Sequence, residues 1–273
     1  MKFDLPANPF SPTVAILGAG PAGLIAAHAA VQEGCRVCIF DRKKPDIRPF
    51  AGAQFLHEPI LGLPVPTEFT IDISGIGTPA GYANKVYGDP AAPSSYDEYT
   101  NRQVRAWSMK QTYRDLCDRY GWMVTTVDID STLFASILFS FDLVVCSIPR
   151  PLICMNHEHV FRDAPIMIVP VGHVAGDNVI VYNGDPTVSW CRTSMIQGLG
   201  YTEYPAGKYD GSYGRSIFYR KPRDHNCICW RNQDNLVMVG RQGVWDKRVL
   251  VHHSYDVTIM WLDKVREKLN HAV

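Results

Sequence analysis

Residues 14–30, VAILGAGPAGLIAAHAA, constrain this chain more than any other stretch. A short apolar run, 14–17, leads into Gly18, Gly20 and Gly23, with Pro21 and Ala22 between them, and an alanine-rich segment follows. Strand, glycine turn and helix in that order suit a bound dinucleotide. The first glycine permits the tight turn, the second lets the backbone approach a pyrophosphate, and the third lets helix and strand pack closely. The first amides of the helix then face the phosphates, where the helix dipole favours negative charge. A second apolar strand, 35–40, ends in Asp41, an acidic residue placed to accept hydrogen bonds from an adenosine ribose. Arg42 and Lys43 come next; cations there can meet a ribose 2′-phosphate, or belong to a solvated turn before the prolines.

Composition removes several function classes. The chain has 273 residues, 46% of them hydrophobic, enough to bury one large core or two interlocked ones. Its 27 basic and 27 acidic side chains balance, so there is no nucleic-acid footprint and no field that recruits an anionic membrane. No apolar run approaches the roughly twenty residues of a membrane span, and MKFDLPANPFSPT lacks the apolar core of a signal peptide. The expectation is a cytoplasmic protein whose eight cysteines are reduced thiols and whose partner is a small-molecule substrate. The oligomeric state is left open.

Taken in order, the elements spell an α/β chain: a Rossmann-like domain with an interleaved β-rich substrate domain. Residues 58–99 are rich in Pro, Gly, Tyr and Asp, with β-like runs such as 68–73. Residues 100–120 read as an amphipathic helix. Thr100 and Gln103 form a capping box, Ala106, Met109, Tyr113, Leu116 and Tyr120 share a face, and Gly121 lies just past the end. A strand at 122–129, a helix opening at Asp130 or Ser131 and a buried strand at 143–146 return the chain to the first sheet. Ser147 to Pro149 then lie at a strand's C-terminal end, where open α/β sheets bind ligands. Strands are expected at 166–169, 178–182, 187–190, 201–204 and 217–219, with a turn at Asn183-Gly184-Asp185. A strand at 235–239, a second glycine turn at 240–243 and a helix at 249–269 close the chain. The expected division assigns 1–57, 121–153 and 232–273 to the dinucleotide-binding domain, and 58–120 and 154–231 to the substrate domain.

A second constellation is metal-like. Cys154 lies near His157 and His159, while His225, Cys227 and Cys229 form H-x-C-x-C. Thiolate plus imidazole is a tetrahedral zinc set, and Cys154, His159, Cys227 and Cys229 would make a closed structural site pinning the β-region to the sheet. Buried free thiols and exposed histidines are the plainer alternative. Cys35 and Cys38 spell C-x-x-C, but in a strand they point to opposite faces and read as core.

These pieces together resemble the flavin-containing amine oxidase and UDP-galactopyranose mutase superfamily, as a shortened member. GAGPAG and Asp41 resemble its FAD-ADP site. GAQFLH at 52–57 is similar to the mutases' glycine-to-histidine motif beside the flavin, with Gln54 in place of the first histidine. FDLVVCSIP resembles the strand returning to the FAD, and DPTVSWCRTS at 185–194 with TEYP at 202–205 resembles the substrate-domain strands. VGRQGVW at 239–245 resembles the C-terminal turn that closes over pyrophosphate and flavin.

The resemblance implies FAD held by Gly18, Gly20, Pro21, Ala22, Gly23, Asp41, Arg42, Gln54, Ser147, Gly240, Arg241, Gly243 and Val244. It places His57 beside the ring, Arg241 near the pyrophosphate or the flavin's polar edge, and Arg192 as a clamp for a substrate carboxylate or phosphate. For each there is a plainer reading: a core histidine, a surface ion pair, and an arginine on the outer sheet face. Trp190 and Trp245 could stack on a planar substrate, though core packing fits them better. A full mutase is longer and carries a helical domain with a mobile lid, for which only the 100–120 helix could stand in. Its tyrosines after the glycine-arginine turn are replaced here by WDKRVLVHH. The leading expectation is an FAD-dependent oxidoreductase acting on a small substrate. The alternatives are a mutase-like non-redox flavoenzyme and a non-catalytic FAD-binding protein.

Overall fold

The computed structural model describes residues 11–45, 54–94, 96, 100–212 and 214–271. The chain opens with β1 (Thr13–Leu17), α1 (Pro21–Gln32) and β2 (Arg36–Asp41). It leaves through β3 (Glu68–Ile76), α2 (Pro79–Tyr87) and β4 (Arg102–Trp107), then returns through α3 (Met109–Tyr120), β5 (Val124–Thr126), α4 (Ser131–Ser140) and β6 (Leu143–Cys146). A second excursion builds β7 (Phe161–Val169), β8 (Val179–Asn183), β9 (Arg192–Ile196), β10 (Leu199–Pro205) and β11 (Ile217–His225). β12 (Leu236–Met238), α5 (Gly240–Val244) and α6 (His253–His271) close the chain.

Two sheets result. Five parallel strands run in the order β12-β6-β1-β2-β5, and seven more run β11-β7-β10-β9-β8-β3-β4, antiparallel except for the β3–β8 pair. Alternation along β1 explains the layering of the first sheet. Val14 and Ile16 face a core with Leu24 of α1, Leu116 of α3 and Leu262 of α6, whereas Ala15 and Leu17 face Phe134 and Leu138 of α4. A parallel sheet covered on both faces needs such unbroken apolar strands. The second sheet packs Ile71, Ile166, Ile168 and Ile180 beneath Tyr82 and Val86 of α2. The mixed α/β class with a Rossmann-like parallel sheet is the one expected from the sequence.

Several local expectations fail. The expected 100–120 helix is a strand and a helix joined at Ser108. β4 pairs with β3, and the cap is Ser108, whose Oγ accepts from the Gln111 amide, not Thr100 with Gln103. Ala106 belongs to the second sheet's core, while Met109, Tyr113, Leu116 and Tyr120 keep their stripe against α1. Packed flat there, α3 is no lid. Gly121 at its end has ordinary right-handed φ of −60°. The strand expected at 187–190 is a turn, and the strand begins at Arg192. Residues 240–244 form a short helix, and the last helix starts at His253. Cys35 is buried but Cys38 is exposed. Among the described residues no helix is long and apolar enough to cross a membrane.

Candidate dinucleotide site

The three glycines of the first turn meet different surroundings. Gly18 has φ of +100°, and a Cβ there would lie 2.4 Å from the Ser147 hydroxyl oxygen. At Gly23 a Cβ would lie 1.8 Å from the Gly18 carbonyl oxygen. Both positions are fixed by the protein's own packing. Gly20 has φ of −72°, which any residue adopts, and a Cβ there meets nothing within 4 Å. Gly20 is the N-cap of α1 and brings no side-chain cap, Pro21 follows at the first helical position, and the first internal bond runs from the Leu24 amide to the Gly20 carbonyl at 2.9 Å. The turn therefore presents a helix N-terminus and bare backbone to open space.

Four groups hold the turn in shape. The Ala19 amide donates to Asp41 Oδ2 at 2.6 Å, and the Tyr113 hydroxyl donates to the Ala19 carbonyl at 3.0 Å. Ser147 Oγ donates to the Leu17 carbonyl at 2.9 Å and lies 3.3 Å from that of Gly18, while the Gly18 amide donates to the Phe40 carbonyl. Asp41 and Ser147, expected as ligand contacts, thus shape the turn first; Asp41 Oδ1 also accepts from the Lys43 amide at 3.1 Å. Tyr113 was legible only as a core residue. Arg42 and Gln54 are exposed. Gly52 and Ala53 lie outside the described residues.

The second turn packs directly on the first. The Val239 amide donates to the Cys146 carbonyl at 2.9 Å, bringing α5 to the end of β6. Gly240 has φ of +66° and a Cβ there would sit 2.5 Å from Ala22 Cβ; one at Gly243 would sit 2.4 Å from the Cys146 carbonyl oxygen. A side chain at Gly240 would drive the two glycine turns apart, and one at Gly243 would push α5 off the end of β6. Val244 is half-buried. Trp245 is a core residue, its indole donating to the Arg162 carbonyl at 3.0 Å and edge-on to Phe161. Trp190 is half-buried, and its carbonyl accepts from Lys85.

Next to α5 the second sheet buries an unbalanced charge group. Arg192 is ion-paired with Glu203, and Lys221 Nζ lies 3.8 Å from the other Glu203 oxygen, with side chains 16%, 5% and 7% exposed respectively. Burial pushes the Glu203 carboxyl up, but Arg192, Lys221 and Arg241 outweigh it and hold it below the ordinary carboxylate range. Burial, only partly offset by Glu203, brings Lys221 down to about 8. The expected substrate clamp, Arg192, is therefore engaged internally by Glu203, with the Tyr182 ring 5.8 Å away. Both Arg192 Nε and Arg241 Nε are buried without a hydrogen-bond partner.

His57 lies in a histidine group: its ring centroid is 4.9 Å from Phe55 and 5.9 Å from His252, and His252 is 4.5 Å from His253. Glu58 Oε1 is 3.3 Å from His252 Nε2. Burial first, then the neighbouring His252 and Arg102, hold His57 down to about 4, and burial with His253 does the same for His252. Both rings are neutral near pH 7. The Cys/His set also converges: Cys154, His159, Cys227 and Cys229 offer ligand atoms all within 4.8 Å of one another. His157 is exposed, and His225 Nδ1 accepts from the Cys227 amide at 3.0 Å.

Residues 16–45 match the model of the NAD(P)-binding Rossmann-like domain family. No curated protein matches the chain by sequence. Among solved structures, a reduced UDP-galactopyranose mutase matches at a TM-score of 0.58 and 11% identity, over 93% of this chain and 95% of the other. The chain has the mutase's fold. A 2,6-dihydroxypyridine-3-hydroxylase from Arthrobacter nicotinovorans matches at 0.55 and 10% identity, over 94% and 84%. A flavin-dependent brominase matches at 0.55 and 8%, over 95% and 80%. At such identities the likeness is one of fold, and that fold is the one the sequence motifs resemble.

Proposed function

We propose that this chain is an FAD-dependent oxidoreductase acting on a small molecule. One observation carries the reading: the two glycine turns, more than two hundred residues apart in sequence, are in direct packing contact, and Gly20 alone in the first turn has no internal reason to lack a side chain. An exchangeable nicotinamide needs only the first turn, whereas a cofactor enclosed by both chain ends needs the second as well. The fold shared with flavin enzymes supports the same choice.

In this reading the α1 N-terminus and the Gly18–Gly23 backbone receive the pyrophosphate. Asp41 keeps lone pairs for the ribose, Arg42 and Gln54 line the approach, and Gly240, Arg241, Gly243 and Val244 close over the other side. Bound there, the isoalloxazine supplies the electron-transfer chemistry, and the protein supplies orientation and charge. Arg192, Lys221 and Arg241 outnumber Glu203, so the region beside α5 favours an anionic group. Neutral His57 offers a hydrogen bond rather than a charge.

The test is the visible spectrum of the purified protein and of the supernatant released from it by heat, before and after loading with FAD. Flavin absorbance retained through gel filtration is expected; a colourless protein that takes up no FAD refutes the reading. The extent of the mutase match favours one second reading, a non-redox reaction on a nucleotide sugar. It predicts tight binding of a UDP-sugar only after the protein-bound flavin is reduced, and equal binding in both redox states counts against it.

A further inference from the structure

Two of the four connections that carry the chain between the sheets meet at the Cys/His cluster. Cys154 and His159 lie in the connection from β6 to β7, and Cys227 and Cys229 in the connection from β11 to β12. Cys154 Sγ is 3.5 Å from Cys227 Sγ and 4.0 Å from Cys229 Sγ. His159 Nδ1 is 3.2 Å from Cys154 Sγ and 3.6 Å from Cys229 Sγ. Bonds of about 2.3 Å to sulfur and about 2.0 Å to nitrogen at tetrahedral angles separate sulfurs by about 3.8 Å, and sulfur from nitrogen by about 3.5 Å. These four spacings bracket the ideal values, and all the ligand atoms lie within 4.8 Å of one another. Sulfurs this far apart are not disulfide-bonded, since that bond is about 2.05 Å long.

The geometry points to a structural zinc site in which Cys154, His159, Cys227 and Cys229 bind one tetrahedral ion and staple the β6–β7 and β11–β12 connections together. Three thiolates and an imidazole are the donor set that borderline-soft zinc takes, and four protein ligands leave no open position for catalysis. Direct hydrogen bonds already align the two segments on either side of the cluster. The Trp230 indole donates to the Ile153 carbonyl at 2.8 Å, the Val160 amide to Asn226 Oδ1 at 2.7 Å, and the Asn226 amide to the Val160 carbonyl at 3.3 Å. Ligand preorganisation of this kind is what a closed site needs. His225 is not a ligand: its Nδ1 is spent on the Cys227 amide, which orients the Cys227-Ile228-Cys229 segment.

The site does not depend on the cofactor reading and is tested apart from it. Elemental analysis of the full chain, purified without chelator, is expected to find one zinc per chain. Cys229→Ser should lower occupancy at least tenfold, while Cys38→Ser, at an exposed thiol on β2, keeps it. In case the ligand variants fail to fold, the unmodified chain is stripped with chelator under reductant and titrated with Co²⁺. Thiolate-to-cobalt charge transfer and tetrahedral d–d bands saturating at one equivalent support the site. A folded parent chain that carries no zinc and gives no tetrahedral cobalt spectrum overturns it, as does equal metal loss in the Cys38→Ser chain.

Discussion

Replacing Gly20 by alanine separates the fold from the ligand site. Its φ of −72° and ψ of 177° suit any residue, and the new Cβ meets nothing within 4 Å. Alanine at a compatible position stabilises by about 0.4–1 kcal/mol, because the unfolded chain loses freedom. As an N-cap it is worse than glycine, at a cost of up to about 1 kcal/mol. The two effects nearly cancel, so Tm should stay within about 4 °C of the parent. The ligand side does not cancel. A methyl group on the open face of the turn keeps a pyrophosphate from the first amides of α1. Each charge-assisted hydrogen bond so lost is worth about 1.5–3 kcal/mol, and at about 1.4 kcal/mol per decade FAD should bind roughly 10- to 100-fold more weakly. Apoprotein titrated with FAD and followed by flavin fluorescence measures this, with thermal unfolding by circular dichroism alongside. Gly23→Ala is the contrasting control: its Cβ would lie 1.8 Å from the Gly18 carbonyl, so it should fail by losing the fold. Parental FAD affinity in a Gly20→Ala chain with parental Tm would refute the placement of the pyrophosphate on this turn.

Other perturbations probe the interior. Glu203→Gln leaves Arg192 and Lys221 buried without their carboxylate and should cost about 3–5 kcal/mol in urea unfolding; a loss below about 1 kcal/mol would show that the cations are not desolvated. His57 and His252 bind protons near pH 6.5 in the unfolded chain but only near pH 4 when folded. Between those values the unfolded state holds more protons, so stability falls as pH drops from 6.5 to 4 and their contribution is spent below that. The difference in Tm between the parent and His252→Phe should therefore change across this window and stay constant above pH 7; a constant difference throughout would refute the shift. Trp245→Phe keeps the ring in the core but leaves the Arg162 carbonyl without its indole donor, and should cost about 1–3 kcal/mol by chemical denaturation.

The parallel sheet was legible because its signals are local and agree with one another. Apolar runs end at Leu17 and Cys146, glycines sit where the turn needs them, and Asp130 caps α4 through the Leu133 amide. The error at 100–120 came from a helical period extended through a strand. Val104, Ala106 and Trp107 are apolar enough to continue the stripe, and only the Ser108 hydroxyl and pairing with β3 mark the break. α2 went unread although Thr78-Pro79 and Gly88 are ordinary start and stop signals; its Thr78 Oγ1 accepts from the Gly81 amide, and Gly88 has φ of +70°. In the site, residue types were readable but partners were not. Nothing local to Arg192 announces that Glu203, across a β9–β10 pair, takes its guanidinium. The Cys/His set was legible as two spaced halves, and only the fold shows them converging.

The arrangement of α5 explains why so short an element matters. It is five residues long, too short to hold its own position by helical hydrogen bonding. Its place comes from both sheets at once. Val239, just before it, is bonded to Cys146 of β6; Gln242 donates to the Tyr219 hydroxyl and the Arg220 carbonyl of β11; and Trp245, just after it, donates to the Arg162 carbonyl of β7. The chain reaches α5 through β12, three residues long, which itself follows the Cys227–Cys229 segment. A metal that fixes this segment to the β6–β7 connection would fix both approaches to the joint, one leading from Ser147 and the other to Gly240. With that tie in place, the proposed cofactor-facing turns would be held from behind by both sheets as well as by their own residues.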